Sequence, residues 1–161
     1  MTLNKDIQYL SAGIPELENY LLSKELYYPL GVNLPQLTLG GILLALARAG
    51  EKGSRHESQI ERIHAKWRVA WEAKVERESR ARCKLWKIYL AEYRDDPRAG
   101  AHLYAQNVRY RTMMSLMGIL NHESDPFLRG IFVQGRFIWE EECAPNFPRD
   151  RFWYLFGSIK E

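Results

Sequence analysis

From Ser54 to Arg94 the chain has neither Gly nor Pro, and its apolar positions recur three or four apart. Ile60, His64, Trp67, Trp71, Val75, Leu85, Trp86, Tyr89 and Tyr93 share one sector at about 100° per residue. Arg55, Arg62, Lys66, Arg77, Arg80, Lys84, Lys87 and Arg94 occupy the opposite one. That division predicts a single amphipathic helix over 54–94. About 40 residues at 1.5 Å each give about 60 Å, roughly twice the diameter of a small domain. Such a helix must project, bend, or pair with another long element. Ser54 with Glu57 three residues later reads as a capping box at its start. Ser79 and Arg82 interrupt the apolar stripe midway, and Glu78, four residues before Arg82, points toward it. Glu78 and Arg82 read as a polar pair fixing helix register.

Before the long helix, Met1–Gly13 reads as loosely ordered. Pro15, with Glu16 and Glu18, opens a helix whose apolar side holds Leu17, Tyr20, Leu21 and Leu22. Tyr28-Pro29 and Gly31 end it. Asn33 then offers an N-cap, with Pro35 just inside a helix running to about Ala49 and stopped by Gly50. This helix is apolar nearly all round, so it should be buried on most sides. Gly40-Gly41 within it implies close approach of another backbone.

After the long helix, Asp96-Pro97 signals a new start. The run Pro97–Leu120 carries Leu103, Tyr104, Val108, Met113, Met114, Leu116 and Met117. The short connection predicts an antiparallel hairpin with 54–94. Met113, Met114 and Met117 are read as core fillers. Asp125-Pro126 repeats the start signal. Leu128, Ile131, Phe132, Gly135, Ile138 and Trp139 then follow helical spacing. The alternative is a strand pair, Ile131–Val133 and Arg136–Ile138, turning at Gln134-Gly135. The final stretch, 144–161, is an aromatic-rich segment expected to dock on the bundle. The expected fold is thus all-α: one domain over 1–161, a bundle of five or six helices around the long helix.

Composition adds little against this frame. With 161 residues, 46% apolar and 27% charged, the chain can bury a core without staples. Its two cysteines, Cys83 and Cys143, form no metal or redox spacing and suit a reducing compartment. The start lacks a signal-peptide pattern. The most apolar run, Leu37–Ala47, is eleven residues where a bilayer span needs about 20. A cytoplasmic protein without membrane contact is expected.

Charge is where function enters. The net charge is only +3, yet Arg77–Lys87 holds five basic residues against one acidic residue. Residues 123–142 hold Arg129 and Arg136 against Glu123, Asp125, Glu140, Glu141 and Glu142. Arg77, Arg80, Lys84 and Lys87, spaced three, four and three apart, would line one side of a helix. Phosphates of a nucleic acid call for such an array. So does the acidic Glu140–Glu142 segment of another copy, and a plain solvated face has the same composition.

No strand, Gly-rich turn and Lys pattern accompanies Gly40-Gly41, and no nucleophile or zinc motif is present. Glu61 and His64 form one Glu-x-x-His pair, where a di-metal bundle needs two. Neither a cofactor nor a metal is expected. The reading is a non-enzymatic binding or assembly protein, joining a protein partner or its own copies. The alternative is a helical subunit holding nucleic acid irrespective of sequence. An enzyme with an unrecognised polar pocket comes third.

Overall fold

A computed structural model describes residues 3–119, 129–130, 133–140 and 144–161. The protein is mainly helical. Its helices are α1 (Leu3–Gly13), α2 (Leu17–Leu22), α3 (Leu39–Ala49), α4 (Ser54–Lys66), α5 (Arg68–Asp95), α6 (Pro97–Ala101) and α7 (Tyr104–Leu116). Two short strands, β1 (Phe137–Trp139) and β2 (Gly157–Ile159), pair antiparallel. The chain forms two compact units, Met1–Arg80 and Ala81–Glu161.

In the first unit, the start of the chain is ordered, contrary to expectation. Residues 3–13 form α1, which buries Asp6, Tyr9, Leu10 and Gly13 on one side, packed on α3. The Tyr9 hydroxyl donates to the Gln36 carbonyl at 3.0 Å and accepts from the Thr38 amide at 3.4 Å. Gly41 makes this possible, because a Cβ there would stand 2.7 Å from the Tyr9 hydroxyl. The close approach predicted from Gly40-Gly41 is therefore made, at Gly41, by a side chain rather than a backbone.

Helix α3 begins later than predicted. Asn33 adopts a positive φ of 71° in a turn, and Tyr28 pairs with Leu37 in a bridge. The cap is Thr38, extended at φ −142°, whose hydroxyl accepts from the Gly41 amide at 2.9 Å. Gly50, at φ 56°, ends α3 as expected.

The predicted capping box at Ser54 does not form. Gly50–Gly53 is already a 3-10 turn, and Gly53 precedes α4 without any side-chain cap. Ser54 enters with helical φ and ψ, so its hydroxyl is not placed to cap.

The predicted helix 54–94 is divided at Trp67, whose φ of −118° and ψ of 41° leave the helical region. Hydrogen bonds Trp67 N–H to Ile63 and Trp71 N–H to Trp67 carry the ladder across the break. The His64 imidazole and Trp71 indole stack across it at 4.2 Å.

The second unit is built on aromatic rings. Trp86, Tyr89, Leu90 and Tyr93 of α5 share a core with Tyr104, Val108 and Met114 of α7, and with Phe137, Phe152, Tyr154 and Ile159. Burying a Trp such as Trp86, at 2% exposure, is worth about 3–5 kcal/mol against truncation to Ala. Asp96 caps α6 through Ala99 N–H at 3.3 Å, with Pro97 behind it, as the sequence signalled. Gly100 lies against the α5 backbone: a Cβ there would stand 2.8 Å from Tyr93 Cα. Met113, Met114 and Met117 are buried, in keeping with core filling. Helix α7 ends at Gly118, φ 83°, where the Gly118 and Ile119 amides bond back to Ser115 and Met114.

The helical reading of Ile138 and Trp139 is corrected. Gly135 turns the chain at φ 69°, and Phe137–Trp139 pairs with Gly157–Ile159 in the register Phe137–Ile159. Of the alternative strand pair about Gln134-Gly135, Val133 is helical and Arg136 is not in a strand. Leu128, Ile131, Phe132 and the Asp125-Pro126 start lie outside the described residues. The C-terminal segment buries Phe152, Tyr154 and Phe156. Tyr104 donates to the Tyr154 carbonyl at 2.6 Å, and Arg151 to the Ser115 carbonyl at 3.0 Å.

Candidate functional site: the outer face of helix α5

In the second unit, α5 turns Trp86, Tyr89, Leu90 and Tyr93 inward. The helical period then forces Lys84, Lys87, Ile88, Ala91, Glu92 and Asp95 outward, and all are exposed. Two aliphatic side chains are caught on this outer side. Leu85 is 36% exposed and Ile88 45%. The sequence pattern had assigned Leu85 to the apolar stripe. At about 100° per residue it lies at the stripe's edge, about 100° from Trp86. Ile88 escaped the reading because one aliphatic among charges carries no periodic signal.

The four predicted cations are all exposed, but their commitments differ. In the first unit, Arg77 donates to the Lys24 carbonyl at 3.0 Å, and Arg80 pairs with Glu76 at 2.8 Å. In the second, Lys84 and Lys87 have no ion-pair partner among the described residues. The exposed Arg80–Glu76 pair stabilises helix by only about 0.3–0.5 kcal/mol, so a stronger anion would displace it.

Glu78 and Arg82 both have polar or ring partners. Glu78 is fully buried and accepts the Gly40 amide at 2.6 Å, at the N-terminal end of α3. The Arg82 guanidinium lies 5.7 Å from the Tyr110 ring centre. Lys74, missed in the sequence, is buried in the first unit. Its ammonium donates to the Glu25 carbonyl and lies over the Tyr20 ring. Burial, and next the Arg77 charge, lower its pKa, while Glu25 opposes them. The signal was available: Trp71, Lys74 and Glu78 keep the three-and-four spacing of a buried face. Burial also raises the Asp6 pKa, against the attraction of Arg48 at 3.9 Å.

Among the described residues no group of three His, Cys, Asp or Glu could hold a metal ion. Glu61 and His64 are both exposed. Cys83 is a free, half-buried thiol, and Cys143 lies outside the described residues. Of the acidic segment, Glu140 is exposed, while Glu123, Asp125, Glu141 and Glu142 are likewise outside them. No helix among the described residues is long and apolar enough to cross a membrane. No family model, curated protein or solved structure matches this chain.

Proposed function

We propose that this is a non-enzymatic assembly protein that engages its partner through the outer face of α5. The observation that supports this reading is the exposure of Leu85 and Ile88 beside Lys84 and Lys87, cations with no ion pair among the described residues. Leu85 and Ile88 are neighbours one turn apart on that face, so one partner surface can cover both. Covering them removes apolar surface from water, at about 25 cal/mol per Å². The lysines then favour a partner that carries carboxylates beside its own apolar groups. The test is a double substitution, Leu85→Asp with Ile88→Asp. Native mass spectrometry should find a complex with the wild type and none with this variant, at unchanged circular dichroism. A complex retained by the variant would refute the reading.

A second reading keeps the four cations as a polyanion site. It is favoured by the exposure of Arg77, Arg80, Lys84 and Lys87 alike. Lacking base-reading groups, such a site would bind nucleic acid irrespective of sequence. Four phosphate contacts would give a slope of log K against log salt near −3.6, from about −0.9 per contact. Replacing all four by Glu should abolish binding. This reading fails if the wild type does not bind duplex at low salt.

A further inference from the structure

The outer face of α5 is complementary to itself. Two copies of this helix crossing antiparallel at Ile88 place each residue a given number before 88 against the residue the same number after it. Lys84 then faces Glu92 of the other copy, and by symmetry Glu92 faces the other Lys84. Leu85 faces Ala91, a large side chain against a small one. Ile88 meets its own counterpart at the centre. All five residues are exposed. Lys84 and Glu92 have no ion-pair partner among the described residues.

We infer that the partner engaged by α5 is a second copy of this chain, in an antiparallel helix pair centred on Ile88. This inference rests on the assembly reading and names its occupant. Charge sets the direction. The outer face is basic at Lys84 and Lys87, and at its other end Glu92 and Asp95 outnumber Arg94. Antiparallel pairing opposes unlike ends, whereas parallel pairing in register would set like against like. The contact is isologous, so it closes at two copies. Leu85, Ile88 and Ala91 follow the three-residue steps of a helix seam, which lets two axes approach to about 8–10 Å. Lys87, at the edge of the seam, remains available to solvent.

Sedimentation of the full chain should show a monomer–dimer equilibrium. Lys84→Glu and Glu92→Lys should each weaken the dimer about tenfold, since either change creates two repulsive contacts by symmetry. Mixed together, the two variants should pair with each other in preference to themselves, because both contacts are then restored. The double variant K84E/E92K should dimerise like the wild type. In a background of Cys83→Ser and Cys143→Ser, Ile88→Cys should crosslink under mild oxidation.

A wild type that stays monomeric at its highest soluble concentration would overturn the inference. So would single variants that do not recognise each other. A monomer whose complex with a different protein still depends on Leu85 and Ile88 would overturn the second copy as partner. It would leave the assembly reading standing.

Discussion

Removal of the Glu78 side chain should destabilise the first unit. Its carboxylate is fully buried and accepts the Gly40 amide at 2.6 Å. The first amides of a helix have no partner within it. In α3, Thr38 satisfies Gly41 and Glu78 satisfies Gly40. Glu78→Ala removes a hydrogen bond to a charged group, worth about 1.5–3 kcal/mol. It also removes a negative charge at a helix N-terminus, about 0.3–1 kcal/mol, and one buried methylene, about 0.8 kcal/mol. The sum is about 3–5 kcal/mol. Glu78→Gln keeps the length and an acceptor oxygen and should cost about 1 kcal/mol. At roughly 2–4 °C per kcal/mol for a chain of this size, Ala should lower Tm by about 6–20 °C and Gln by a few degrees. Circular dichroism melts give both numbers, and amide exchange at Gly40 reports the bond directly. Equal effects of Ala and Gln, or an Ala cost below about 1 kcal/mol, would refute the assignment.

Two further predictions concern the second unit. Gly100→Ala would bring a Cβ within 2.8 Å of Tyr93 Cα, backbone that cannot swing aside, so a loss of about 1–3 kcal/mol is expected in a urea titration. Burial raises the Tyr89 and Tyr93 pKa values above the ordinary 10, helped for Tyr89 by Tyr93 and opposed for Tyr93 by Arg136. The unfolded phenols lose their protons first, so stability should fall as pH rises past about 10. Absorbance at 295 nm should show these two tyrosines ionising only as the chain unfolds.

The sequence was most legible where burial is apolar and periodic. Trp86, Tyr89 and Tyr93 were assigned to the inner stripe and are buried. Asp96-Pro97 and Gly50 marked helix ends because each acts through its own backbone geometry. What failed was local chemistry overridden by packing. Asn33 and Pro35 are a competent cap, but Tyr28 and Leu37 pair first and move the start of α3 to Thr38. Residues 3–13 read as loose because the buried face of α1 includes Asp6, and a carboxylate there masks the apolar spacing. The strand Phe137–Trp139 was illegible for another reason. Its partner lies some 20 residues on, and Gly157 is what lets the two backbones meet, since any Cβ there would enter the Ile138 carbonyl.

The candidate site shows the same limit from the opposite side. Four cations at helical spacing are visible in any sequence, but the pattern does not say which are already committed. Arg77 and Arg80 have partners at 3.0 and 2.8 Å, one a loop carbonyl that no spacing rule anticipates. Leu85 and Ile88 carry the opposite lesson. Leu85, beside Trp86, reads as part of the apolar stripe and Ile88 gives no periodic signal, and only the direction in which Trp86 and Tyr89 turn places both aliphatic side chains outside. The distinction decides the chemistry of the partner. Cations alone ask for phosphate, whose contacts weaken steeply with salt. Cations bracketing exposed aliphatic side chains ask for a surface that is apolar and acidic together. Such a contact keeps its apolar term in salt, because screening acts only on the charges. If α5 meets such a surface, raising the salt from about 0.1 to 1 M, where the Debye length shortens from about 10 to 3 Å, should weaken the complex without dissolving it.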